Sequence, residues 1–574
     1  MRSTFAGLNT MVHGVQSNRL SLETVGHNIS NANTVGYSRQ SVNLAATPAQ
    51  ETNGIYGTQW VGTGVDSTSI VRARSVYADK QYWTESSTKS YYEMRQKNYE
   101  KVETFFNDTD SVNVQNSLED FFKAWVDLSS NASTTANRTT VIEEGKTFAD
   151  RVGTAASQLQ DQMRANYDDI ALHIEDINKM TDQIVTLNKS IMSAEATGAS
   201  ANDLRDSRDN LADKLATYMN INVYEDDQGM YQIVSNGTTI VGGINNLHLQ
   251  VSDPVQNNKY GINDFNIMIR ETDTIYQPVN GILRAEQDAI EEQKGYIDKL
   301  SNMAAFMLTT LNDQHKKGAG NDTEGGTITL ADGTTTTIGT TGVNFYGNND
   351  TVYTWNDTKQ CVTAVKYADG ALAYEAVAED SDSDGTVDSI KVQMKNSSLT
   401  PESTTELDGI NVIDALKVNA KLTATNGEQY VAARSWALET NADGTGVTGS
   451  VVPNGTGDGS NATLISTLFN SPQSSTIDTT TPRAIGEVSI DAYYNAAMTK
   501  LGVDSQSMDD KVTAQDDVVE QVEDWRSSVS GVDWNEELSN MIKFQQGYQA
   551  SARCLTTMDE MLDKLVNSTG MVGR

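Results

Sequence analysis

Residues 8 to 32 place Leu8, Met11, Val15, Asn18, Leu22, Val25, Ile29 and Ala32 at alternating spacings of three and four. That alternation predicts a helix with the apolar seam of a coiled coil, in which Asn18 is the one polar position and either fixes register or faces solvent. The far end repeats the pattern with Met541, Phe544, Tyr548, Ser551, Leu555, Met558, Leu562 and Leu565. Two such helices can pair, although an amphipathic helix lying on its own domain gives the same stripe. A narrow stripe buries little area against the backbone entropy of ordering it, so both ends are expected to need partners and to be marginal before assembly.

Between the ends, Met163, Ile170, Ile177, Ile184 and Ile191 recur every seven residues, with His173, Met180 and Leu187 near the companion seam. This predicts a long rod-like helix that stops around Thr197-Gly198. A second helix over 202–219 carries Leu204-Arg205-Asp206-Ser207-Arg208-Asp209, and from Ile221 the pattern alternates as strands do, with hairpin turns at Asp227-Gln228-Gly229 and Asn236-Gly237. Helical periodicity returns over 282–311, gives way to Gly, Thr, Asp and Asn with short β-branched runs as far as about residue 482, and resumes over 485–525. The expected fold is α+β and multidomain. A terminal α-helical coiled coil takes residues 1–45 and 531–574, an elongated helical-bundle shaft takes 46–220, 281–318 and 484–530, and β-rich outer domains take 221–280 and 319–483. Both termini then emerge at the same end.

Composition narrows what such a chain does. Its 574 residues exceed the roughly 250–300 at which one core stops growing, so several domains are required. With 42 Lys and Arg against 77 Asp and Glu, the formal charge of -35 repels nucleic acid and anionic membranes. The acidity lies in the middle, since residues 1–45 carry Arg2, Arg19 and Arg39 against Glu23. Cys361 and Cys554 are too far apart in sequence to suggest a disulfide framework, and Cys554 reads as a small core residue. The sequence contains no apolar run long enough for a membrane span, and no cleavable secretory signal is expected at its start.

Motifs for chemistry are few. His13, His27, His173, His248 and His315 are scattered without metal-ligand or nucleophile-activating spacing. Gly444-Thr445-Gly446-Val447-Thr448-Gly449 matches a dinucleotide-loop pattern but runs into Ser450-Val451-Val452-Pro453 instead of a helix that receives a pyrophosphate. Asp380 to Asp388 resembles the first nine positions of a calcium loop, yet Lys391 stands where the twelfth-position acid belongs, so an acidic turn is the better reading. No catalytic group, cofactor or metal is expected.

Asn28-Ile29-Ser30-Asn31-Ala32-Asn33-Thr34-Val35-Gly36-Tyr37 resembles the signature of the rod, hook and hook-associated proteins of the bacterial flagellum, and Tyr37-Ser38-Arg39-Gln40 resembles the form found in its hook-filament junction members. Ser528 to Glu537 and Phe544 to Arg553 are similar to the C-terminal signature of the same family, with Trp534, Asn535 and Gly547 as small departures. The 204–209 segment and Gly342-Val343-Asn344-Phe345-Tyr346 also resemble family landmarks. The resemblance implies a structural, non-enzymatic flagellar subunit at the hook-filament junction. It would be exported without a cleaved signal and would work outside the cell. The implied partners are further copies of itself in a ring, the hook protein, a second hook-associated junction protein and an export chaperone. The expected assembly contacts are Leu8, Val15, Leu22, Val25, Ile29, Asn31, Met541, Phe544, Gln546, Tyr548, Leu555 and Leu562. For Asn31, turn formation within one chain is an equal alternative.

Overall fold

A computed structural model describes residues 6–54, 57–106, 113–196, 198, 200–324, 327–329, 335–379, 389–395, 399–440, 447–470 and 484–564. The calcium-like stretch Asp380–Asp388, seam residue Leu565 and Gly444–Gly446 lie outside these residues. Helix α1 spans Ala6–Asn31. A ribbon follows, in which β1 (Gln40–Ala46) and β4 (Val65–Arg72) pair antiparallel and their connection carries a second ribbon of β2 (Gln50–Gly54) and β3 (Gly57–Val61). The shaft expected from residue 46 therefore starts only at Val76. The β-branched positions Thr58, Val61, Val65, Thr68, Ile70 and Val71 explain the strands.

The shaft is built from α2 (Val76–Phe106), α3 (Val114–Ser130), α4 (Thr135–Glu195) and α5 (Asn202–Tyr218), later joined by α6 (Ile282–Phe306). At 1.5 Å per residue, the 61 residues of α4 extend about 90 Å. The predicted heptad residues Met163, Ile170, Ile177, Ile184 and Ile191 are all buried along it. Of the companion seam Met180 is buried as expected, while His173 and Leu187 are half-buried and the adjoining row Tyr167, Ile174, Thr181 and Asn188 is buried in full. The reason is chemical, since Asn188 is used to hold a β-domain, donating to the carbonyls of Tyr231 at 3.2 Å and Gly243 at 2.8 Å.

That domain lies between α5 and α6. Strands β5 (Asn222–Glu225), β6 (Tyr231–Ser235), β7 (Thr238–Gly242) and β8 (Asn245–Asn246) form one meander. Asn236 and Gly237, with φ of 46° and 76°, make the β6–β7 turn, as Asn-Gly does in two-residue hairpins. Next come β9 (Leu249–Val251), β10 (Val255–Asn257), β11 (Ile262–Asp264), β12 (Ile267–Ile269) and β13 (Thr274–Ile275), in which β9, β12 and β13 form a sheet and β10 pairs with β11.

After α6, a π-helical turn at Met307–Leu311 leads into α7 (Asn312–Lys317). The insertion then holds β14 (Thr327–Thr329), β15 (Thr335–Thr337), β16 (Thr351–Asn356), β17 (Cys361–Lys366), β18 (Tyr374–Glu379), β19 (Ser389–Met394) and β20 (Ser403–Leu407). It is not purely β. Helices α8 (Ile410–Ala415) and α9 (Ala420–Thr423) precede the hairpin of β21 (Trp436–Thr440) with β22 (Val447–Pro453), and α10 (Ser460–Thr467) follows it. Their apolar residues Val412, Ile413, Leu422 and Ile465 are buried. These helices are too short to show a period in sequence.

The landmark Phe345-Tyr346 is where the insertion is anchored. Both rings are buried, and Phe345 packs at 5.4 Å from Phe121 and 5.6 Å from Trp125. The Asn312 side chain accepts the backbone N–H groups of Phe345 at 2.8 Å and Tyr346 at 2.9 Å. A Cβ at Gly145 would sit 2.7 Å from the Phe345 ring, so glycine is required there. Beside them, buried His315 is a neutral packing group. Its Nδ1 faces the Val343 carbonyl at 2.7 Å, its Nε2 accepts the Ala432 N–H at 2.9 Å, and burial pushes its pKa down to about 4.

The chain returns through α11 (Ile490–Ser530), which packs along α2, and ends in α12 (Trp534–Asp563), which packs on α1. Core packing predicts that Ile177→Ala destabilises the shaft by about 2–5 kcal/mol. Leu172→Ala, at a position 59% exposed on the same helix, should change stability by only about 0.5 kcal/mol or less, and urea denaturation compares the two.

A second prediction concerns pH. The ring of His248 lies between two carboxylates, with Nδ1 2.7 Å from Glu271 and Nε2 3.1 Å from Asp182, which clips the β9 end of the domain to α4. A neutral ring has one N–H, so this arrangement favours imidazolium. Hydrogen bonding to Glu271, partly opposed by desolvation and reinforced by Asp182, raises its pKa above the ordinary 6.5. The clip is therefore fully formed below 6.5 and lost as pH rises through the raised value. Amide exchange in β9 and β12 should accelerate over that rise, and His248→Gln should remove the dependence.

Candidate functional site

The terminal helices run antiparallel in a single register. Gly7 meets Met558, Gly14 meets Ser551, Asn18 meets Gly547 and Asn28 meets Glu537. Small residues allow the close approach: a Cβ would lie 2.2 Å from Met558 Cε at Gly7, 3.2 Å from Ser551 Oγ at Gly14, and 2.6 Å from Asn18 Oδ1 at Gly547. The face that α1 turns to α12 thus includes the expected seam residue Asn18 together with Gly7, Gly14 and Asn28, which stand one position before the expected Leu8, Val15 and Ile29.

The offset follows from a second neighbour. Helix α1 also lies on the β1–β4 ribbon, where Ser17 Oγ donates to the Val65 carbonyl at 3.3 Å, Thr10 Oγ1 to the Thr63 carbonyl at 3.1 Å, and His13 Nδ1 meets Asp66 at 2.5 Å. Small polar residues Ser17, Ser21 and Thr24 are consequently buried, whereas Leu8, Val15, Leu22 and Ile29 are half-buried and only Val25 of the predicted α1 contacts is buried.

On α12, Met541, Phe544, Leu555 and Leu562 are half-buried, and Tyr548 and Gln546 are exposed. Cys554 is exposed rather than a core residue, because α12 has a partner on one side only. The heptad reading missed a further stripe. Trp534, Leu538 and Ile542 are exposed at i, i+4 spacing, which was the available signal, and Met561 is exposed separately on another face near the end of the helix. Among the described residues, Glu537 is the one buried side chain of the whole helix.

Asn28 is the hub that aims this pair. Its Nδ2 donates to the Gln40 carbonyl at 2.9 Å and to Glu537 at 3.1 Å, while its Oδ1 accepts from Tyr37 Oη at 2.8 Å and the Gln40 N–H at 2.9 Å. All four hydrogen-bonding positions of one buried amide are filled. Asn31 closes its own chain's turn, donating to the His27 carbonyl at 3.0 Å and accepting from Thr34 Oγ1 at 3.3 Å. Gly36, at φ of 80°, completes that turn.

The signature segment then docks on the acidic face of α5. Ser38 N–H donates to Asp206 at 3.0 Å and Gln40 Nε2 to Asp203 at 2.9 Å. Arg72 reaches Asp206 at 2.7 Å and Asp209 at 2.8 Å, Arg74 reaches Asp79 at 2.9 Å, and Arg526 joins Asp79 at 2.9 Å to Asp213 at 2.6 Å. Arg39 ties in the last turn, its N–H donating to the Ser530 carbonyl at 2.8 Å and its guanidinium meeting Glu536 at 2.8 Å. Burial alone would raise the Asp209 carboxyl, but Arg74, Arg72 and the Tyr231 hydroxyl hold it below the usual carboxylate range. Burial pushes Tyr37 well up, reinforced by Asp203 and Asp206. No group of three or more His, Cys, Asp and Glu arranged for a metal occurs among the described residues.

Comparison with known proteins sets the chain beside proteins of the flagellum. A family model described as the flagellar hook-associated protein FlgK helical domain matches residues 99–328, and one described as the flagellar basal body rod FlgEFG protein C-terminal matches residues 526–568. Flagellar hook-associated protein 1 of Bacillus subtilis (strain 168) is 24% identical over 605 residues, covering 100% of both chains. The chain carries a FlgK helical domain and is similar to flagellar hook-associated protein 1 along its whole length. Flagellar hook-associated protein 1 of Salmonella typhimurium (strain LT2) is 26% identical over 587 residues, covering 98% of this chain and 99% of that one. In fold, the structure resembles the flagellar hook junction protein FlgK from Burkholderia pseudomallei, with a TM-score of 0.53 and 17% identity over 79% of this chain and 100% of that one. Of the hub residues, those on α5 fall inside the FlgK helical-domain match and Arg526 opens the C-terminal match, whereas Asn28 lies outside both.

Asp209→Asn should destabilise the shaft by about 3–5 kcal/mol, because Arg72 and Arg74 lose a buried counter-charge. Since the folded carboxyl is depressed, its contribution is present above the ordinary carboxylate value and lost as pH falls through the folded value. Urea melts at neutral and acidic pH should therefore show the mutational difference shrinking in acid.

Proposed function

We propose that this chain is a structural, non-catalytic subunit of the bacterial flagellum that forms the junction between hook and filament, and that copies hold together through the terminal helix pair. The observation that carries the reading is the unfinished surface of α12. One face of it is packed on α1, and Trp534, Leu538, Ile542 and Met561 stand exposed on a helix with one buried side chain among the described residues. Exposed apolar stripes of this kind mark protein–protein contacts. Full-length relatives named flagellar hook-associated protein 1 support the placement in the flagellum.

On this reading the half-buried Leu8, Val15, Leu22, Ile29, Met541, Phe544, Leu555 and Leu562 are covered further by neighbouring copies, as is Tyr548 on the same side of α12, while Gln546 lies on its outer side and Val25 and Asn31 hold the geometry from within. Segments 1–45 and 531–574 act as the inner domain, the shaft surrounds it, and 221–280 with 319–483 form the outward parts. Hook protein and a second junction protein are the neighbours along the axis. The chain reaches them outside the cell by flagellar export, with a chaperone and without a cleaved signal.

Deleting the gene in its host and imaging the cells tests this. The expected result is intact hooks without filaments, with flagellin shed into the medium. Normal filaments would reject it.

A further inference from the structure

Two patches of exposed apolar surface lie away from α12. The first is the β2–β3 ribbon, where Trp60 is 70% exposed and pairs across the strands with Glu51. A two-stranded ribbon with no further layer is marginal in water, so an outward tryptophan on it calls for a cover. The second is at the foot of the shaft, where Val35 is 86% exposed on the signature turn and Tyr77 is 69% exposed at the start of α2. Tyr77 meets Trp525 edge-on at 5.5 Å. The adjoining cleft, about 360 Å³, is lined by Val35, Tyr37, Tyr82, Arg526 and Lys214 among others. That volume is at the small end of pockets that take a ring-sized group.

We infer that Trp60 of one copy inserts into the cleft between the signature turn and α11 of the next copy, with Glu51 pairing Lys214 at the rim. This rests on the junction reading above. A second copy fits the cleft because the two patches complement each other in aromatic character and charge. The ribbon brings an indole flanked by a carboxylate, and the cleft offers Tyr37 and Tyr82 as walls, with the cations of Arg74, Arg526 and Lys214 outnumbering the carboxylates of Asp213 and Glu523. Glu51 and Lys214 are both exposed and, among the described residues, form no ion pair within their own chain. Two different patches meeting head to tail repeat from copy to copy, which is how a ring or helical array grows. Buried Trp anchors ringed by polar groups dominate such contacts.

The test uses full-length chains returned to the deletion strain, with secreted chain, hook-attached chain and filaments counted. Trp60→Ala should be secreted at the wild-type level and melt as the wild type does, yet attach to hooks at least about tenfold less, as loss of a buried aromatic anchor predicts. Glu51→Lys and Lys214→Glu should each weaken attachment, and the combined swap should restore it. Normal attachment of Trp60→Ala, or a double swap no better than either single change, would overturn the docking. If Trp60→Ala fails to accumulate, the charge swap alone decides. Filaments that persist in all variants while the deletion strain is bald would sink this contact and leave the junction role intact. A deletion strain with filaments would instead remove the reading it rests on.

Discussion

Three carboxylates on one face of α5, Asp206, Asp209 and Asp213, are the constraint on which the arrangement of the ends depends. Buried carboxylates are tolerated only when paired, and their partners come from elements far apart in the chain: Arg72 and Arg74 at the ribbon exit, Arg526 near the end of α11. Removing Arg72 leaves Asp206 without its cation, and removing Arg526 does the same to Asp213. The shaft and the returning helix share an apolar core, and the ribbon is fixed to them by these ion pairs. The terminal pair inherits its direction from this lock through Ser38, Arg39 and Asn28.

Much of the frame was legible in the sequence because it is periodic. The α4 heptad, the α5 segment, the Asn236-Gly237 turn and the return of helix after the insertion all have signals that local physics reads directly. What failed to show was set by neighbours. Part of the α1 seam is displaced by one residue, with Asn18 in its expected place, because serines and threonines on that helix hydrogen-bond a ribbon that lies distant in sequence. Likewise the companion seam of α4 carries Asn188, which serves the carbonyls of a β-domain. Apolar periodicity cannot report a face whose packing is polar.

The motif residues divide in the same way. Asn28 and Gln40 sit within a recognisable signature, but nothing local says that their partners are Glu537, Asp203 and Asn202. Asn31, for which a turn was the equal alternative to a subunit contact, hydrogen-bonds within its own turn. The exposed stripe of Trp534, Leu538 and Ile542 was visible as spacing, yet it competed with the seam of Met541 and Phe544 on the same helix. Only the placement of α1 separates the inner stripe from the outer one.

The hydrogen bond between Asn28 and Glu537 joins residues 509 positions apart, which is nearly the whole chain. Closing so long a loop unaided is slow and entropically unfavourable. The intervening shaft shortens it, since α11 packed along α2 carries the two ends to one place before they meet. The terminal pair therefore depends on that shaft to hold the two ends side by side.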